Sequence, residues 1–393
     1  MSEGSVKQGL VYLDNNATTP LDPQVAERMC AFLKEHFGNP SSIYPIGRAV
    51  KEIVTQAREN VAKALGAQRS EIFFTSSGTE ADNWALRGIL ESRPGKGEVI
   101  TSTIEHPAVL NQAKFLEKKG IKVSYVPVDS LGVIDLDFLR SAVTSQTALV
   151  SIMHANNEIG TVQPIEEVVS IARDHGVPVH SDAVQSFGKM EFDVQKLGVD
   201  FLSVSAHKIY GPKGVGALYI RKGIDICPFI YGGHQERGFR AGTENTIGIV
   251  GFGEAAALLM QHGKKDREKT ERLAARLRKG IEETIPKVRF NGHPEKRVKN
   301  TLNAAFPGLE SEAILLALAT KGIAVSTGSA CSSELEEVSH VLLAIGLKPE
   351  IARSCIRMSL GRFNTDEDVE TALRELPGII AKLRRISAFD PDA

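Results

Sequence analysis

The 393-residue chain has only 4 cysteines and 1 tryptophan, aromatics make up 6% of it, and neither sign of charge is in excess. Cys30, Cys227, Cys331 and Cys355 are too few and too scattered for a disulfide framework, and no C-x-x-C pair suggests structural zinc. A reducing compartment is the simplest expectation. With 47 Lys plus Arg against 48 Asp plus Glu, the chain lacks the electrostatic footprint of a general nucleic-acid binder or a polybasic membrane-surface protein. Its most apolar stretch, Gly248 to Met260, is short and broken by glycine, and the opening M-S-E-G-S-V-K-Q-G lacks the regions of a signal peptide. The expected location is the cytoplasm, and the expected partners are small molecules or other proteins, with no nucleic acid and no membrane. What is present is 42% hydrophobic residues. A domain takes roughly 100 to 200 residues, so two domains with a large core are expected.

From Glu71 to Ile220 short apolar runs alternate with amphipathic segments: E-I-F-F-T-S, then 79–90, E-V-I-T-S, 107–119 and I-K-V-S-Y-V. T-A-L-V-S-I-M, the helical 165–174, V-P-V-H-S-D, D-F-L-S-V-S and V-G-A-L-Y-I continue the pattern. Strands alternating with helices predict an α/β fold with a mostly parallel central sheet. A preceding helix with Val50, Ile53, Val54, Ala57, Val61 and Leu65 on one face ends at Gly66. After Gly251 a long charged helical stretch leads to strand-like V-R-F-N, T-L-N-A-A-F, I-A-V-S and C-I-R-M-S, with helices over 310–320 and 366–384. This reads as a smaller α+β domain. The expected division is a large domain over 20–255 and a small one made of 1–19 and 256–393.

Candidate chemistry gathers at strand ends, where α/β sheets bind ligands. Lys208, in S-A-H-K-I-Y-G-P-K-G, follows a strand and precedes a glycine-rich turn. An isolated lysine is normally a solvated charge, but one after Ser-x-His at a strand end can form a Schiff base, with Ser205 and His207 donating to a phosphate. Asp182 ends V-P-V-H-S-D, where a buried carboxylate needs a cationic partner; a pyridinium nitrogen is one, and a helix cap is the plainer alternative. Gln185 can reach the same ligand. T-S-S-G-T-E opens a helix, so Gly78 and Thr79 offer a phosphate cup, although ordinary capping uses the same residues. No G-x-x-x-x-G-K-[ST] or G-x-G-x-x-G accompanies it, which disfavours nucleotides.

His106, between a strand and Pro107, is either a structural hydrogen-bonder or a ring-stacking acid or base. Asn157, in A-N-N-E, is either a turn former or a donor to a ring oxygen. Cys30, in R-M-C-A-F-L, reads as a core cysteine. Cys331 instead lies in S-T-G-S-A-C-S-S-E, polar surroundings that suit a reactive thiolate able to visit a site and leave it. Arg357 shares a strand face with Cys355, which is left structural; the arginine is either a clamp for a substrate carboxylate or one half of a surface ion pair.

Y-L-D-N-N-A-T-T-P, S-A-H-K, R-A-G-T-E-N, S-x-G-S-A-C and I-R-M-S-L-G-R-F, in that order, resemble the NifS/IscS-like cysteine desulfurases. The resemblance implies the pyridoxal-phosphate-dependent transferase fold, aspartate-aminotransferase-like fold type I, working as a homodimer. By similarity Lys208 carries pyridoxal 5'-phosphate, Asp182 pairs with its ring nitrogen, Gln185 and Asn157 contact its ring oxygen, and His106 stacks over it. Thr79, Ser205 and His207 take its phosphate, and Thr243 reaches the phosphate of the neighbouring subunit. Arg357 and Asn157 bind the substrate, the arginine at the substrate's carboxylate, and Cys331 is the nucleophile. The implied reaction converts L-cysteine to L-alanine with a persulfide on Cys331, for delivery to a sulfur acceptor such as an iron–sulfur scaffold. The S-x-G-S-A-C pattern resembles the branch with the longer cysteine loop. A selenocysteine lyase, a class V aminotransferase and a non-catalytic sulfur-relay scaffold are the alternatives.

Overall fold

A computed structural model describes residues 9–327 and 338–387. The alternating segments form a seven-stranded sheet in the spatial order Ile72–Thr75, Gly216–Ile220, Phe201–Ser205, Val179–Asp182, Thr147–Ser151, Glu98–Ser102, Lys122–Val126. The last five are mutually parallel, and only Gly216–Ile220 runs against its neighbours. Full burial of the central strands accounts for their continuous apolar runs. Helices Gly78–Ser92, Pro107–Lys118 and Ile165–Arg173 are the crossovers between them.

The helix Pro45–Leu65 buries Val50, Val54, Ala57, Val61 and Leu65, and Gly66 ends it with a left-handed φ of 72°. A three-stranded antiparallel sheet, Cys355–Ser359, Thr301–Ala305 and Arg289–Asn291, forms a second layer with the helix Asp366–Ile386. The segment Val11–Tyr12 pairs with Ile323–Ala324, and Val11 and Leu13 pack with this second layer.

One helix, Thr246–Thr284, serves two apolar clusters. Ile249, Phe252, Ala256 and Leu258 pack with the large sheet, whereas Leu273, Leu277 and Ile281 pack with Leu302, Ile356 and Met358. The glycine-broken stretch after Gly248 is therefore helical from its start.

Cys30 departs from the expected core position. The helix Pro23–Glu35 buries Val25 and Phe32, and Cys30 lies off that stripe and is exposed. Cys227 is half-buried and Cys355 is buried.

Candidate active site

The strand ends at Asp182 and Ser205 lie side by side, and Lys208 follows in a short 3-10 turn, Ala206–Lys208. Two residues on, Tyr210 adopts a left-handed φ of 68°. That conformation is costly for an aromatic residue and persists because its surroundings fix it. Tyr210 N donates to Thr19 Oγ1 at 2.8 Å, its hydroxyl accepts from Arg362 N at 2.6 Å, and the Arg362 guanidinium stacks 4.0 Å from its ring centre. The turn presenting Lys208 is thus pinned from both sides.

Lys208 Nζ donates to the backbone oxygens of Asn16 and Ala17 at 2.5 and 2.7 Å. Asn16 is 1% exposed. It accepts from Gln185 Nε2 at 2.9 Å on its backbone oxygen and from Lys189 Nζ at 2.6 Å on Oδ1. Its Nδ2 donates to Asn157 O and Thr301 Oγ1, and its N–H to Ser359 Oγ. One asparagine therefore ties Lys208, Gln185 and Asn157 to the second layer.

Asp182 is buried, with Oδ1 accepting from Val184 N at 2.9 Å. The chain turns after it without forming a helix, so the carboxylate caps a turn only. Burial first and the Asp82 carboxylate second push Asp182 up to about 7. A cationic ring atom at this point would relieve that desolvation and keep the carboxylate ionised.

His106 caps the helix Pro107–Lys118, its Nδ1 accepting from Ala108 N at 3.1 Å. Burial, then Lys208 and His340, hold its pKa down at about 4, so the ring is neutral at pH 7. His207 is held down at about 4 by burial and by the nearby lysines, and its Nδ1 lies 3.1 Å from Thr18 Oγ1.

The helix Gly78–Ser92 begins beside Ser205 with Ser77 as its cap. A side chain on Gly78 would meet Val184 Cγ2 at 2.7 Å, so the close packing of the helix start against the turn after Asp182 requires glycine. Thr79 is exposed there and Ser205 is buried. Glu80 binds Ser76 N at 3.0 Å and Arg240 Nε at 2.7 Å, and these contacts lower its pKa against the effect of burial. The helix start thus lies against Ser205 and against Val184, two residues after Asp182.

Arg357 is 3% exposed, a buried group and not half of a surface pair. Nη2 binds Asp14 Oδ1 at 2.7 Å and Nη1 binds Asn157 O at 3.1 Å, while Nε is buried with no partner among the described residues. Thr243 is exposed on the segment that precedes the helix Thr246–Thr284 and joins no contact of this cluster. Cys331 lies outside the described residues. The residues on either side of it do reach the site: Ser326 N binds Arg357 O at 3.1 Å, and His340 Nε2 lies 2.9 Å from Glu105 O, next to His106.

The structure brings Lys208, Asp182, Gln185, His106, Asn157 and Arg357 into one region. Sequence reasoning overlooked the positions held by Asp14, Asn16 and Lys189. The D-N-N of Y-L-D-N-N was a usable signal for the first two; Lys189, in Q-S-F-G-K, carried none.

The family model for aminotransferase class-V matches residues 11–372. A cysteine desulfurase IscS of Clostridium botulinum (strain Hall) is 50% identical over 385 residues, 97% of each chain. A solved structure described as a NifS-like protein superposes with a TM-score of 0.90 at 43% identity, covering 95% of this chain and 100% of that one. Another, described as SspA in complex with cysteine, gives a TM-score of 0.79 at 37% identity, covering 90% of this chain and 99% of that one.

Proposed function

The chain belongs to the aminotransferase class-V family, and on that premise we propose that it is a pyridoxal-phosphate-dependent cysteine desulfurase whose nucleophile is Cys331. The site residues fit the cofactor. The buried Asp182 suits a protonated ring nitrogen, the helix start at Gly78 offers backbone N–H groups to a phosphate, and Lys208 is an amine at the sheet edge. When bound, pyridoxal phosphate supplies a carbonyl for an amine and an electron sink for the bond broken at the substrate α-carbon.

This chain's residues then divide the work. Lys208 would anchor the cofactor through its amine and, as the basic group at the sheet edge, would move the α-proton. Asp182 balances the ring charge, Gln185 and Asn157 orient the ring oxygen, and neutral His106 covers the ring. Gly78, Thr79, Ser205 and His207 take the phosphate, and Thr243 reaches that of a neighbouring subunit. Arg357 holds the substrate carboxylate, for which its buried, unpartnered Nε is the supporting feature. The Cys331 thiolate attacks the substrate sulfur: an S–S bond forms, the C–S bond breaks, and the carbon is protonated, leaving L-alanine and a Cys331 persulfide. The outer sulfur passes by exchange to an acceptor thiol, such as that of an iron–sulfur scaffold.

The anchoring of the chain on either side of Cys331, at Arg357 and beside His106, is the observation that carries this assignment. The division into a large domain over 20–255 and a small domain made of 1–19 and 256–393 fits the two apolar clusters of one helix. A homodimer would cover Phe37, Ile43 and Tyr231, which are 86%, 83% and 75% exposed. We place the protein in the cytoplasm; no described helix is long and apolar enough to cross a membrane. Incubating Cys331→Ala with L-cysteine, with alanine and sulfide both measured, tests the nucleophile. Loss of nearly all alanine formation with the cofactor still bound is expected; undiminished release of both products would overturn the assignment.

A further inference from the structure

A second lysine lies against the site and has no role in the chemistry above. Lys189 Nζ donates to Gln185 Oε1 at 2.5 Å and to Asn16 Oδ1 at 2.6 Å. These are oxygens of two residues that already meet each other, since Gln185 Nε2 donates to Asn16 O. The Asn16 backbone carbonyl can only accept, so the Gln185 amide must turn its NH2 toward it and its oxygen toward the Lys189 amine, and the sense of Gln185 is fixed. With Oε1 held by Lys189 and one Nε2 proton held by Asn16, the second Nε2 proton is the one left for a ring oxygen. We infer that Lys189 is a positioning residue that clamps Gln185 to Asn16 and thereby aims the Gln185 amide N–H at the ring oxygen of the cofactor. This rests on the desulfurase reading and deepens it.

The electrostatic setting agrees with the geometry. Burial, then Lys208 and Arg357, hold the Lys189 amine well below the ordinary lysine range, while Asp14 works in the opposite direction. Asp266, Arg267 and Arg362 are the other charged groups lining the small cavity that Lys189 shares with Lys208. Lys189 is thus a buried amine whose charge its surroundings disfavour, held in place by its two oxygen partners, and it acts on the cofactor only through those neighbours.

A double-mutant comparison on the full chain separates this role from a general structural one. Cofactor affinity and the pH midpoint of the bound cofactor's absorbance are measured for the parent, Lys189→Met, Gln185→Ala and the double variant. If Lys189 acts through Gln185, Lys189→Met weakens cofactor binding about fivefold and moves the midpoint, but costs less than about twofold in the Gln185→Ala background. Lys189→Arg, which keeps the donors, recovers most of the loss. Equal losses in both backgrounds, or parent-like behaviour of Lys189→Met, would overturn the inference. Should Lys189→Met fail to fold, Lys189→Gln and Lys189→Ala carry the same comparison. A parent chain that binds no pyridoxal phosphate and makes no alanine from L-cysteine would overturn the function itself. A competent parent with unaltered Lys189 variants would overturn only the present inference.

Discussion

His106 Nδ1 accepts the Ala108 N–H, so the proton of the neutral ring must sit on Nε2. The helix cap selects the tautomer and leaves a donor for the site. Because burial, with Lys208 and His340, lowers its pKa to about 4 in the folded chain, the folded state binds this proton less readily than the unfolded chain does. The stability associated with a neutral His106 is complete above the unfolded value of about 6.5 and is lost as pH falls toward the folded value. His106→Asn keeps a capping acceptor and removes the titration. In urea denaturation of the cofactor-free chain, parent minus variant stability should be flat above about pH 6.5 and fall progressively below it. A difference that is independent of pH would show that His106 does not titrate this way. The other histidines are common to both proteins and cancel in the comparison.

At the scale of elements, the strand Ile72–Thr75 is one of the two edges of the large sheet, and side chains occupy backbone groups it leaves unpaired. Glu236 Oε2 accepts from Phe74 N at 3.0 Å, while Arg58 and Arg237 donate to Ile72 O at 2.9 and 3.0 Å. Glu236 and Arg58 also pair through two 2.6 Å contacts and are nearly buried. Glu236→Ala strands a buried guanidinium and should cost about 3 to 5 kcal/mol in chemical denaturation, whereas Arg58→Met with Glu236→Leu should recover much of that loss. A single variant within about 0.5 kcal/mol of the parent would contradict this account of the edge.

Most of these elements were legible because alternating apolar runs and amphipathic segments are local signals. Short pieces such as Leu136–Ala142 and Pro349–Ala352 carry too few turns to show a period. Cys30 was misjudged because the apolar letters around it did not reveal which stripe of the helix faces inward. The candidate site was legible where a residue ends a strand, as Asp182 does, since strand ends converge whatever the topology. The Asp14–Arg357 pair was not, because it joins residues 343 positions apart. Lys189 was hidden for the same reason: what separates it from a surface lysine is the arrival of Asn16, 173 residues away.

At the scale of the whole molecule, a net charge of −1 leaves little self-repulsion to oppose association of copies. The exposed apolar residues Leu33, Phe37, Ile43, Tyr44 and Ile46 are close in sequence, a concentration that suits an interface. Sedimentation velocity should give twice the 42.6 kDa chain mass, and Phe37→Glu with Ile43→Glu should shift the protein toward the monomer. A parent that sediments as a monomer at micromolar concentration would remove the dimer.

The helix Thr246–Thr284 has 39 residues and bears on both apolar clusters. The Lys208 turn follows a strand of the first cluster, and Arg357 lies on a strand of the second. At 1.5 Å per residue this rod is about 58 Å long, so a tilt of about 5° at one end carries the other through about 5 Å. The stiffness of this rod and the Asn16 hydrogen bonds that join the Lys208 turn to the second layer therefore act together on the spacing of amine and guanidinium, the helix against tilt and the asparagine against local slip.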